Sequence, residues 1–256
     1  MSNYALITGA SAGLGTEFAR QLASKGLNLV LVARRGDKLK AVAEELAAEH
    51  NIDVRTFSAD LSTPEAPQTL YQFCQAENIQ VEWLINNAGV AGEDLFEERD
   101  WSKHEAFYRL MMTSIAQLCH LFVPDMKERK AGYILNVASV AGRIPRSGGC
   151  NYGPVKAYVV ALSEDLAVTL APYNIKASAL CPGYTHTDFH ETAGLMEMKN
   201  KMPKWLWYDA SVVVREGIKA LEAGKPVFVS GRLYRWVDPL LQSVWTRRFF
   251  RIPARL

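Results

Sequence analysis

Tyr152 and Lys156 stand four positions apart at the end of the stretch Ser139-Val-Ala-Gly-Arg-Ile-Pro-Arg-Ser-Gly-Gly-Cys-Asn-Tyr-Gly-Pro-Val-Lys156. On a helix that spacing places both side chains on one face, a turn apart. The apolar positions downstream (Ala157, Val160, Ala161, Leu162, Leu166, Val168, Leu170) carry a helical pattern. Pro154 is tolerated in a first turn, so Tyr152 belongs near the helix N-terminus. A free phenol, with a pKa of about 10, is a poor acid–base group at neutral pH. An ammonium one turn away favours the phenolate and brings the phenol toward the working range. A hydroxyl such as that of Ser139 could hold a carbonyl oxygen for Tyr152 to protonate. That is proton transfer in need of a partner reaction. A lone Tyr-x-x-x-Lys match also fits a surface helix face, so the surrounding chain decides its meaning.

Strand-like and helix-like segments alternate along that chain. Apolar, β-branched runs predict strands over about 4–8, 27–33, 53–58, 82–86, 132–138, 174–181 and 226–230. Helical patterns fall at about 14–25, 37–50, 64–77, 104–130, 152–171 and 209–223. Such alternation predicts an α/β fold, a doubly wound parallel sheet of seven strands with helices on both faces.

Between the first strand and first helix lies Thr8-Gly9-Ala10-Ser11-Ala12-Gly13-Leu14-Gly15. A glycine-rich turn entering a helix lets backbone N–H groups and the helix dipole meet a pyrophosphate. The bland alternative is a tight turn without a ligand, but its position right after the first strand favours a dinucleotide. The second strand ends in Ala33-Arg34-Arg35, where an NAD-binding fold usually carries an acid for the ribose hydroxyls. A guanidinium pairs with a 2′-phosphate that a carboxylate would repel, so the pattern favours NADP(H) over NAD(H). The alternatives are a solvated arginine pair and an Asp37 that reaches back. Asp60-Leu61, Asn86-Asn87-Ala88-Gly89, Ser139 and Cys181-Pro182-Gly183-Tyr184-Thr185-His186-Thr187 follow later strands. All fall at strand C-termini, the rim where open α/β sheets bind ligands.

At 256 residues, 49% hydrophobic and 22% charged, the chain suits one soluble domain over 1–256 better than two. A net charge of +2 gives no reason to expect nucleic acid as a partner. Cys74, Cys119, Cys150 and Cys181 are scattered, which fits reduced thiols and a cytoplasmic compartment. Tyr4 to Thr8 already reads as a strand, so no N-terminal signal is expected, and no apolar run approaches the roughly 18 residues of a membrane span.

Taken together, these residues, in this order and spacing from residue 4 to about 190, resemble the classical short-chain dehydrogenase/reductase superfamily. The resemblance implies a single Rossmann-type domain and a hydride transfer between nicotinamide and a carbonyl or secondary alcohol. It implies that Ser139 polarises the carbonyl, Tyr152 is the general acid–base, and Lys156 binds the nicotinamide ribose and tunes Tyr152. Gly9, Ser11, Gly13, Leu14, Gly15, Arg34, Arg35, Asp60, Leu61, Asn87, Ala88, Gly89, Pro182, Gly183, Thr185 and Thr187 would hold the cofactor, NADP(H). Homodimers or homotetramers through the two long helices are also implied. One departure stands out. Counting back from Pro124 puts Met111 where such proteins usually carry an Asn that organises a proton-relay water.

The alternation stops over about 184–208, where Phe189, Leu195, Met196, Met198, Met202, Trp205, Leu206, Trp207 and Tyr208 read as a substrate lid. If they meet the substrate, an apolar ketone or aldehyde, lipid- or steroid-like, fits best; the alternative is packing onto the core. His186 and His190, with Asp188 and Glu191 nearby, have helical metal-ligand spacing but no third ligand fixed by spacing, so no metal is expected. The tail, about 232–256, mixes Arg232, Arg235, Arg247, Arg248, Arg251 and Arg255 with Leu233, Tyr234, Trp236, Trp245, Phe249, Phe250 and Ile252. It suits a membrane interface, a subunit interface or a cap on the substrate pocket. The competing function is a cofactor sensor or scaffold that keeps the fold without catalysis.

Overall fold

A computed structural model of the chain describes residues 3–144, 150–186, 203–246 and 249. The strands are β1 (Asn3–Thr8), β2 (Asn28–Ala33), β3 (Val54–Ser58), β4 (Gln80–Asn86), β5 (Gly132–Val137), β6 (Ile175–Cys181), β7 (Thr185–His186), β8 (Tyr208–Asp209) and β9 (Val227–Val229). Seven of them form one parallel sheet in the order β3-β2-β1-β4-β5-β6-β9, and β7 pairs with β8 separately. The helices are α1 (Gly13–Ala23), α2 (Gly36–His50), α3 (Ala66–Ala76), α4 (Trp101–Tyr108), α5 (Ser114–Arg129), α6 (Tyr152–Leu170), α7 (Ala210–Glu222) and α8 (Arg232–Gln242). Strand order reverses between β1 and β4, which opens the crevice characteristic of Rossmann sheets at their C-terminal edge.

The sheet is apolar on both faces, as a covered parallel sheet must be. Ala5, Ile7, Leu29 and Leu31 face one core with Phe18, Leu22, Leu39, Leu46 and Leu221. The alternate residues Leu6, Val30 and Val32 face the other with Leu70, Leu118, Phe122 and Met126. Period-two alternation within an almost wholly apolar strand thus feeds two helix layers at once.

Two expectations need correction. The helix predicted over 104–130 begins at Trp101 and contains a π-helical turn, Arg109–Thr113, between α4 and α5. The whole of Trp101–Arg129 is, by length and composition, long and apolar enough to cross a membrane, contrary to the sequence reading. Its Phe107, Met111, Ile115, Leu118, Phe122 and Met126 are buried within the fold, which accounts for its apolarity as that of a core helix.

A buried polar ladder ties α6 to the sheet. Asn86 Nδ2 donates to Asn136 Oδ1 at 2.8 Å, Asn136 Nδ2 donates to Ser163 Oγ at 3.0 Å, and Ser163 Oγ donates to Val159 O at 2.7 Å. These bonds join β4, β5 and α6 in register. Asn136→Ala removes the middle rung, leaves the Asn86 amide short of its acceptor, and should cost about 1–3 kcal/mol in urea unfolding. An unchanged midpoint would show that the ladder does not hold α6 in place.

Candidate active site

Ser139 lies just past the end of β5, in extended backbone, and caps the short turn Val140–Gly142. Its Oγ accepts from the Ala141 N–H at 3.1 Å, which uses the oxygen as acceptor and leaves the hydroxyl proton to be donated. Val140 N–H donates to Pro182 O at 3.0 Å, fastening this loop to the end of β6. Two glycines then let the loop sit against α6. A Cβ on Gly142 would come within 2.5 Å of the Lys156 carbonyl carbon, and one on Gly153 within 3.1 Å of Ala141 O. Side chains there would push the serine loop off the helix that carries Tyr152 and Lys156.

Lys156 is 4% exposed. Its Nζ donates to Val137 O at 2.7 Å and lies 5.6 Å from the centroid of the Tyr152 ring. Burial pulls its pKa down to about 8. Tyr152 packs against the apolar cluster of Phe107, Met111 and Val155. The three predicted catalytic residues are thus gathered at one point of the rim: the loop after β5 and the first turns of α6.

Sequence reasoning missed the residues that hold this first turn. Asn151 is 1% exposed, and its Nδ2 donates to Glu93 O and to His104 Nδ1, both at 2.9 Å. Its Oδ1 accepts from the Tyr108 hydroxyl. Because His104 accepts at Nδ1, its proton sits on Nε2, which donates to Glu98 O at 3.0 Å. Every polar atom of the Asn151 side chain is therefore spoken for, immediately before Tyr152. The available signal was weak: His104 and Tyr108 are four apart on α4 and so share a face.

The glycine loop is built for close approach. Gly9 has φ +69°, and a Cβ there would lie 2.9 Å from Ala88 Cα. On Gly15 a Cβ would lie 2.1 Å from Gly9 O, which no side chain could occupy. Gly13, Leu14 and Gly15 form the first turn of α1, whose N–H groups have no carbonyl four residues back within the helix. Asn87 Nδ2 donates to Thr8 O at 2.8 Å, and Thr8 Oγ1 accepts from the N–H groups of Asn87 and Ala88 at 3.0 Å each. The predicted Asn87-Ala88-Gly89 segment thus locks against the loop. Arg35 Nη2 donates to Ser11 Oγ at 3.3 Å, which carries its guanidinium onto the loop itself. Arg34 pairs loosely with Asp60 at 3.7 Å, in an exposed position worth little. Leu61 is buried in the core, leaving only its main chain for a ligand. The cradle, the free turn of α1 and a nearby guanidinium fit a phosphorylated dinucleotide.

Pro182 is buried, and Gly183 abuts Tyr234 of α8: a Cβ on Gly183 would lie 2.0 Å from the ring. The Tyr234 hydroxyl donates to Leu206 O at 3.1 Å and accepts from Tyr184 N–H at 3.4 Å. Thr185 is buried, with Oγ1 donating to Gly183 O at 3.1 Å. Thr187 and the lid residues Phe189, Leu195, Met196, Met198 and Met202 lie outside the described residues, as do Asp188, His190 and Glu191. Of the rest of the lid, Trp207 is 8% exposed and packs against Tyr184 and His186 with ring centroids 5.3 Å away, while Trp205 is 65% exposed. Among the described residues no cluster of three His, Cys, Asp or Glu is placed to hold a metal. Met111 is 1% exposed, and its Sδ accepts from the Val90 N–H at 3.4 Å. It sits inside the π-helical turn and fills the space beside Gly89, where an Asn would bring an amide.

A family model described as short chain dehydrogenase matches residues 3–197. The chain belongs to the short-chain dehydrogenase family. This member is 30% identical to a short-chain dehydrogenase from Sphingobium yanoikuyae solved with NADPH, over 92% of this chain and 91% of that one, with a TM-score of 0.82. A bulky-bulky ketone specific alcohol dehydrogenase from Comamonas testosteroni matches at 26% identity and TM-score 0.79, covering 93% and 90%. A 7beta-hydroxysteroid dehydrogenase from Mediterraneibacter gnavus is 28% identical over 184 residues, 72% of this chain and 69% of that protein. The parallel sheet is therefore that of a short-chain dehydrogenase, an oxidoreductase family that uses a nicotinamide dinucleotide.

The buried Lys156 of this dehydrogenase gives a signed test. Its ordinary pKa of 10.5 falls to about 8 in the fold, so the folded chain bears a protonation penalty in full below pH 8, fading as pH rises toward 10.5. Replacing it by Met removes that penalty and one hydrogen bond. Lys156→Met should therefore abolish turnover yet raise the melting temperature at neutral pH, with the gain shrinking above pH 8. A gap in melting temperature that stays constant with pH would contradict the buried-cation account.

Proposed function

We propose that this short-chain dehydrogenase is an NADP(H)-dependent carbonyl reductase acting on an apolar ketone or aldehyde, lipid- or steroid-like. In this reading the whole chain is one catalytic domain, with a substrate lid over about 184–208 and a basic, apolar C-terminal tail over about 232–256. The observation that carries the proposal is the arrangement of Ser139, Tyr152 and Lys156 at the rim that also holds the glycine cradle and Arg35.

In this proposal the Ser139 hydroxyl donates a hydrogen bond to the substrate oxygen, keeping its proton, and fixes the carbonyl's plane. Tyr152 gives its phenolic proton to that oxygen as it gains electron density. Lys156, held by Val137 O, lies close enough to stabilise the phenolate left behind. Bound NADPH supplies the hydride. The backbone of Gly13, Leu14 and Gly15 would receive the pyrophosphate, Arg35 and Arg34 the 2′-phosphate, Asp60 the adenine, and Asn87-Ala88-Gly89 the adenosine ribose. Pro182, Gly183, Thr185 and Thr187 would line the nicotinamide. The bulky-ketone and steroid dehydrogenases among the similar proteins support a large apolar substrate, as does the aromatic packing of Tyr184 and Trp207 beside Gly183. The buried thiols Cys74, Cys119 and Cys181 suit a reducing, cytoplasmic setting. Self-association through α5 and α6 belongs to the same proposal.

Tyr152→Phe should lower kcat for ketone reduction by about 10²–10⁴-fold while leaving the Kd for NADPH unchanged. Full activity of that variant would remove the acid–base role. Tight NADPH binding with no carbonyl reduced by the parent would favour a sensor. Arg35→Glu should weaken NADPH about tenfold or more and leave NADH binding nearly untouched. Equal weakening of both would assign the cofactor preference elsewhere.

A further inference from the structure

Among the described residues, large apolar side chains left in water concentrate at the C-terminus. Trp236 is 81% exposed, Val244 83% and Trp245 79%, with Leu233, Leu240 and Phe249 also exposed. Positions 233, 236 and 240 form a helical stripe along α8.

The opposite side of α8 is firmly held. Arg143 forms a bidentate, largely buried ion pair with Asp238 (Nη2 to Oδ2 2.6 Å), and Gln242 Nε2 donates to Arg143 O at 2.8 Å. Arg235 donates to Glu216 at 3.0 Å and to Val229 O at 3.2 Å, Leu241 is buried, and Tyr234 seals Gly183. A helix fixed on one side presents the other as a rigid surface. Soluble monomers rarely leave so contiguous an apolar stripe uncovered.

Charge selects the occupant. From residue 232 onward the sequence has six arginines and one acid; Asp238 is paired with Arg143 and Arg235 with Glu216, which leaves an excess of five arginines in that stretch. A second copy packed across a two-fold axis would set this excess against itself. An uncharged partner would leave it unanswered. An anionic bilayer satisfies both features: aromatic rings enter the boundary between headgroups and acyl chains while arginines meet phosphates.

We propose that α8 and the turn after it dock this enzyme on an anionic lipid surface. The loop after Ser139 is bound to the inner side of that same helix, so docking brings the substrate side of the site close to the bilayer. This last step rests on the carbonyl-reductase reading; the docking does not.

The full chain is to be sedimented with vesicles of phosphatidylcholine, with and without phosphatidylglycerol, at low and high salt. Pelleting is expected with the anionic vesicles, reduced by salt. The double variant Trp236→Glu, Trp245→Glu should lose about tenfold or more of that partitioning while binding NADPH as before. Equal recovery in the supernatant with and without vesicles would overturn the proposal. So would undiminished pelleting of the double variant, or a double variant whose only change is a dimer becoming a monomer. Tyr152→Phe should pellet like the parent, so a failed enzyme assignment leaves the docking result readable. The double variant should reduce a water-soluble ketone normally but a vesicle-borne ketone more slowly; equal loss on both would sink the delivery step.

Discussion

The site depends on one ammonium kept out of water. Lys156 donates to the carbonyl of Val137, and among the described residues no carboxylate pairs with it. A desolvated cation is an unfavourable thing to bury, and a fold tolerates it where the charge has a task. In the proposed mechanism that task is to favour the Tyr152 phenolate, whose ring centroid lies 5.6 Å away. The remaining architecture can be understood as the means of keeping both groups in place: the Asn86–Asn136–Ser163 ladder beneath α6, the Asn151 network before it, and Gly142 and Gly153 closing the serine loop against it.

Much of this was legible in the sequence because it is local or periodic. The strands follow apolar runs, and the structure places their ends within about two residues of those positions. The Rossmann sheet and the glycine turn followed from order and spacing, as did the convergence of Ser139, Tyr152 and Lys156. The tertiary polar contacts were not legible. Asn151 bonds to His104 and Tyr108, more than forty residues back, and neither periodicity nor propensity marks such a pairing. The π-helical turn at Met111 was equally hidden, since Leu110, Met111 and Met112 are all apolar and mask the phase shift that an extra residue makes.

The apolarity of Trp101–Arg129 and that of α8 look alike in composition and mean different things. The first is used up inside the fold, where Phe107, Phe122 and Met126 are buried. The second is turned outward beside Trp236 and Trp245. Only the burial of each side chain separates a core helix from a surface meant to be covered. The basic tail, ambiguous as a string of letters, becomes specific once its inner face is known to be occupied by Asp238, Tyr234 and Leu241.

The Arg143–Asp238 pair joins positions ninety-five residues apart, one next to the serine loop and the other near the end of the chain. Synthesis proceeds from the N-terminus, so a nascent polypeptide already contains Ser139, Tyr152 and Lys156 before their outer brace exists. The brace arrives only once the segment carrying Asp238 has been made. A product terminated before Asp238 would carry Ser139, Tyr152 and Lys156 without the ion pair that ties the serine loop to α8.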